Sequence, residues 1–120
     1  MEIHESAEDY LEKILMLKKA KGVVRSIDIA NMMGYSKPSI SIAMKHLREN
    51  GYVTMDKDNF IDLTDAGREI AERIYFRHRT LMDFLEKLGV SPETAEKDAC
   101  KIEHDISDES FDKLRAFLES

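Results

Sequence analysis

The stretch from Ser26 to Leu63 constrains the fold most, because its apolar spacing switches from helical to alternating at sharply marked turns. Ser26 to Met33 reads as a short helix ended by Gly34, a residue free to take the left-handed conformation. Ser36 then stands as the cap of a further helix, with Pro38 tolerated in its first turn. In that helix Ile40, Ala43, Met44 and Leu47 form an i, i+3, i+4, i+7 stripe that must face a core. Ile42 points the other way, beside Pro38, Ser41 and Lys45. Asn50-Gly51 stops the helix, and Tyr52 to Met55 and Phe60 to Leu63 read as two short strands around the turn Asp56 to Asn59. Helix, turn, helix and β-hairpin make a winged helix-turn-helix.

The flanking segments are helical. Ser6 with Asp9 has the spacing of a capping box, and Leu11, Ile14 and Leu15 carry the helix toward Ala20. Thr64 caps a long helix in which Ile70, Ile74, Leu81, Leu85 and Leu88 share one stripe up to Gly89. Ser91 and Pro92 open a fifth helix through Ile106, and Ser107 caps a sixth carrying Phe111, Leu114, Phe117 and Leu118. The expected architecture is mainly α, with a winged helix-turn-helix over residues 1–64 and a helical region over 65–120. So much apolar surface on three terminal helices points to a homodimer, whose two recognition helices would stand roughly 34 Å apart, one turn of B-DNA.

Charge supports a polyanionic partner only when read locally. The total is -6, yet Lys13 to Met55 holds eight basic side chains against Asp28 and Glu49. Arg25, Ser36, Lys37, Pro38, Ser39, Ser41, Ile42, Lys45 and Lys57 are the candidate contacts to double-stranded DNA: cations for phosphates, hydroxyls and methyl groups for base edges. The single cysteine, Cys100, cannot form an internal disulfide. No apolar run reaches membrane-spanning length, and the acidic stretch Met1 to Asp9 lacks the pattern of a secretory signal, so a cytoplasmic protein is expected.

The chemistry concentrates at Cys100, Glu103 and His104, which stand at i, i+3 and i+4 on one side of the fifth helix, a metal-binding spacing. A small buried cysteine beside a solvated Glu-His pair is an equal alternative for these three alone. His78, eight residues after Ile70 on the apolar stripe, reads as either a core histidine or a ligand. Asp9 and Glu12 share a face of the first helix.

Together these residues resemble the metal-dependent repressors of the diphtheria-toxin-repressor type, with their iron-sensing and manganese-transport-regulator branches. The resemblance is carried by A-E-D-Y-L-E at Ala7 to Glu12, S-x-P-S-I-S at Ser36 to Ser41, L-T-D-A-G at Leu63 to Gly67, R-H-R at Arg77 to Arg79, and D-A-C-K-I-E-H-D-I-S-D-E at Asp98 to Glu109. It implies that Asp9, Glu12, His78, Cys100, Glu103 and His104 are metal ligands, in a short form without the SH3-like domain. Asp9 and Glu12 look like the manganese branch and Cys100 like the iron branch. Fe²⁺ or Mn²⁺ is therefore the implied cofactor, iron narrowly preferred, with Zn²⁺ or Co²⁺ binding in vitro. The iron branch's ancillary site has Met82 and Glu96 at its positions here, which leaves Glu96 as a candidate for a second metal.

The implied function is metal-dependent repression of metal-ion homeostasis genes. The partners are a DNA operator and a second copy of the chain, with no membrane and no small organic substrate. Without metal, the clustered carboxylates should repel and leave the first helix loosely placed. A winged-helix regulator gated by an organic ligand or by cysteine oxidation is the rival reading. An enzyme is not expected, since the six ligands leave no evident open coordination position, general base or oxyanion donor.

Overall fold

The computed structural model describes residues 5–120, the side chain of residue 5 excepted, so Met1 to His4 of the stretch read for a signal lie outside the described residues. Eight elements follow one another: α1 (Glu5–Lys21), α2 (Ser26–Met33), α3 (Lys37–Glu49), β1 (Val53–Met55), β2 (Ile61–Leu63), α4 (Asp65–Lys87), α5 (Pro92–Asp105) and α6 (Asp108–Glu119). The chain divides into two compact units, residues 1–72 and 73–120, and the division falls inside α4.

In the first unit α1 packs on α2 and β2, α2 on α3, and α3 on β1. Leu11, Ile14, Ile29, Ile40, Met44 and Leu47 are buried, so three residues of the stripe expected for α3 face the core, and its fourth, Ala43, is half-buried. Gly34 ends α2 at φ 73° and donates its N–H to Ala30 O, while Ser36 caps α3 by accepting from Ser39 N. The hairpin is antiparallel, with Val53 opposite Leu63 and Met55 opposite Ile61. Each strand is one residue shorter than expected at its start, because those backbone groups are used elsewhere. Tyr52 N–H closes the end of α3 on Leu47 O, and Phe60 N–H goes to the Asp56 carboxylate. Thr64 accepts from Gly67 N as the expected cap of α4. Gly67 is required there, since a Cβ would sit 2.0 Å from Tyr52 O.

The capping box expected at Ser6 and Asp9 does not form. Helix is already present at Glu5, which places Ser6 inside α1, and the Asp9 carboxylate instead faces Lys13 one turn on.

The second unit is built from the latter part of α4 with α5 and α6. Leu81, Ala99 and Phe111 form its buried cluster, with Met82, Ile102, Ile106 and Leu114 packed against them. Ser91 and Ser107 cap α5 and α6 as expected, each accepting from the backbone N–H three residues on. Leu88, placed by its spacing on the buried stripe of α4, is instead 66% exposed, because the helix ends at Lys87 and the chain turns at Gly89. Among the described residues no helix is long and apolar enough to cross a membrane.

Candidate metal centre and nucleic-acid face

Helices α4 and α5 bring three of the expected ligands together. His78 Nδ1 lies 2.9 Å from Glu103 Oε2 and 3.8 Å from Cys100 Sγ. One donor atom from each of the three lies within 4.8 Å of the others. Donors at 2.0–2.3 Å from one ion stand about 3–4.6 Å apart, so the grouping has the dimensions of a coordination shell. His104 Nε2 lies 3.4 Å from Glu103 Oε1.

Burial explains why this cluster is chemically unsettled. Glu103 is fully buried and His78 nearly so. A buried carboxylate is expensive unless its oxygens are satisfied, yet Glu103 Oε1 has no hydrogen-bond partner among the described residues. Hydrogen bonding of the His78 imidazolium to Cys100 and then to Glu103 pushes the ring up to about 10 against the opposing effect of burial. The ring is therefore protonated at neutral pH, and its positive charge stands where a cation would. A soft thiolate, an imidazole and a hard carboxylate form a donor set suited to a divalent transition metal.

Arg77 braces this group and carries no role in the sequence reading beyond membership of the R-H-R motif. Its buried guanidinium donates to Glu103 O at 3.1 Å and Ile106 O at 2.8 Å and pairs with Asp108. It also lies 5.2 Å from the Phe111 ring. One side chain thus satisfies carbonyls at the end of α5 and meets an acid in the first turn of α6. Its only sequence signal is adjacency to His78, since its partners lie 26 to 31 residues away.

Asp9 and Glu12 sit on α1 in the first unit, Glu12 fully buried. Lys13 Nζ lies 3.3 Å from Asp9 Oδ1 and 3.4 Å from Glu12 Oε1. The unrelieved repulsion expected between these carboxylates is thus offset by an ammonium of the same helix, and α1 is regular from Glu5 to Lys21. Glu96 is exposed on α5 and lies outside the group of His78, Cys100 and Glu103, while the half-buried Met82 packs in the apolar cluster.

The expected DNA contacts are all exposed in the first unit: Arg25, Ser36, Lys37, Pro38, Ser39, Ser41, Ile42, Lys45 and Lys57. Ile42 is 60% exposed on α3. Arg25 lies 4.3 Å over the Phe60 ring of the hairpin. Part of the basic stretch is neutralised internally, because Lys18 pairs with Asp62 at 3.2 Å and Lys21 with Asp28 at 2.6 Å.

Residues 2–60 match the N-terminal DNA-binding domain of the iron-dependent repressors, and residues 64–120 match their metal-binding and dimerisation domain. An uncharacterised HTH-type transcriptional regulator of Methanocaldococcus jannaschii is 36% identical over 117 residues, covering 96% of this chain and 94% of the relative. The transcriptional regulator MntR of Escherichia coli is 36% identical over 115 residues, 96% of this chain and 74% of that protein. Among solved structures, the manganese regulator SloR superposes with a TM-score of 0.82 at 31% identity, over 94% of this chain and 53% of SloR. The IdeR of T. acidophilum gives 0.86 at 25% identity, over all of this chain and 56% of its own. The chain thus spans about half the length of those solved structures. The chain belongs to the iron-dependent repressor family, a family of winged-helix, metal-dependent transcriptional regulators and not of enzymes.

Proposed function

We propose that this chain is a homodimeric, Fe²⁺- or Mn²⁺-dependent repressor of metal-ion homeostasis genes, with residues 1–64 contacting the operator and 65–120 serving metal binding and dimerisation. The observation that carries the reading is the convergence of His78, Cys100 and Glu103, together with the other buried oxygen of Glu103, which lacks a hydrogen bond. His104 beside Glu103, and Asp9 and Glu12 of α1, complete the proposed ligand set by their match to the family pattern. Glu96 is kept as a candidate ligand of a second ion. This donor cluster and the metal-dependent relatives speak against gating by an organic ligand or by cysteine oxidation.

A bound divalent cation supplies positive charge and directional bonds to anionic donors. The residues do the rest. His78 releases its proton and presents Nδ1 beside Cys100 Sγ and Glu103 Oε2. Arg77 keeps the end of α5 in place, so Glu103 and His104 meet the ion already oriented. As ligands, Asp9 and Glu12 would hold α1 to the set, and the winged helix would then have less entropy to lose on docking to DNA. The cysteine draws the preference toward iron, and the carboxylates draw it toward manganese.

The test is fluorescence anisotropy of anaerobic, chelator-stripped protein against DNA upstream of its own gene and of metal-transporter genes, with Fe²⁺, Mn²⁺, Zn²⁺ or no metal. Binding that appears only with a metal supports the reading, and the ranking of ions names the co-repressor. Equally tight binding without metal overturns it.

A further inference from the structure

The mechanism leaves unused a partly buried cation, Lys13 on α1. Its side chain is 14% exposed and its ammonium spans Asp9 Oδ1 at 3.3 Å and Glu12 Oε1 at 3.4 Å. Asp9 is one turn away, a position a lysine reaches as a matter of course. Glu12 is its immediate neighbour, and adjacent residues on a helix do not face one another. Lysine has a long flexible stem and could have extended into water at little cost. Instead it is held against both acids, one of them fully buried.

We propose that Lys13 is a resident counter-cation that sets the metal threshold, because a divalent ion must compete with it for Asp9 and Glu12. The inference rests on the ligand assignment above. With no metal bound, the ammonium lowers the charge of the acid pair and keeps α1 helical through the positions that will bind. When those carboxylates turn to a metal, the ammonium either leaves for solvent and gives up both contacts or stays and repels the ion. Both courses lower metal affinity relative to the same ligand set with a neutral neighbour. The regulator then responds at a higher metal concentration than its ligands alone would set.

The experiment measures Mn²⁺ and Co²⁺ affinity by competition with a fluorescent chelator, without DNA, for the full chain and for K13Q, K13M and K13R, with circular dichroism to verify each fold. K13Q and K13M should bind both ions about tenfold more tightly, the lower end of what a charge within 4–6 Å does to proton affinity of a carboxylate. K13R, which keeps the charge, should stay near the parent affinity. Unchanged or weaker binding by folded K13Q and K13M overturns the proposal. A D9N/E12Q double variant separates the two layers of inference: if it binds metal as tightly as the parent, the ligand assignment fails, and if it binds weakly while K13Q is unchanged, only the role of Lys13 fails.

Discussion

The two units of this chain handle charge differently. The first keeps an apolar core of Leu11, Ile14, Ile29, Ile40 and Met44, leaves Lys37, Lys45 and Lys57 at the surface, and buries Glu12 with the Lys13 ammonium beside it. The second places Arg77, His78 and Glu103 in its interior. An exposed cation is solvated and available for a phosphate, at little cost to stability. A buried charge must be paired or neutralised, so the second unit is sensitive to whatever supplies the missing charge. Residues proposed to read DNA can therefore change with small effect on the fold, whereas residues proposed to sense metal are also part of what holds it together.

The largest effects should come from breaking the interior of the second unit. Glu103→Ala should lower metal affinity by about a hundredfold or more, exceeding the 10–100-fold typical of residues that only orient ligands. It should also abolish metal-stimulated DNA binding while the dimer persists in sedimentation. Metal-dependent DNA binding that survives would remove Glu103 from the site. Next is Arg77→Met, which leaves Asp108 and two carbonyls without the guanidinium. A loss of about 3 kcal/mol in urea unfolding is expected, together with weaker metal binding by the folded protein. Unchanged metal affinity would reduce Arg77 to a purely structural brace.

The pH response sharpens the same contrast. Because the folded His78 is raised to about 10 from an unfolded value near 6.5, its contribution to stability without metal is fully present below about pH 6.5. That contribution is lost as pH rises toward 10. Metal binding runs the other way, since it expels the His78 proton: affinity should gain up to about tenfold per pH unit in that interval, with about one proton released from His78 per ion. Calorimetry in buffers of different ionisation enthalpy counts the protons, and a pH-independent affinity would show that metal binding releases no proton from His78. The smallest effect belongs to the surface. Lys45→Ala should weaken binding to all DNA sequences and flatten the salt slope by about one unit, with stability changed by less than about 0.5 kcal/mol. An unchanged slope would mean that Lys45 touches no phosphate.

What could be read from the chain follows the range of the interactions involved. Ser36, Ser91 and Ser107 cap their helices through N–H groups three residues on, so their signals are local and the structure bears them out. The stripe of α3 is equally local. His78 and Cys100 lie 22 residues apart, and their meeting was legible only through resemblance to a family. Arg77 was invisible as a brace, because nothing in R-H-R announces carbonyls at Glu103 and Ile106. Ser6 misled because a capping-box spacing also occurs inside a helix, and Leu88 because periodicity says nothing about where α4 stops.

Metal occupancy and DNA binding are expected to form one coupled equilibrium. The decisive measurement is the metal dissociation constant with and without a saturating operator fragment. Linkage requires that DNA tighten metal binding by the same factor by which metal tightens DNA binding, about 5–150-fold for a coupling of ordinary size. Equal metal affinity with and without DNA would contradict the account.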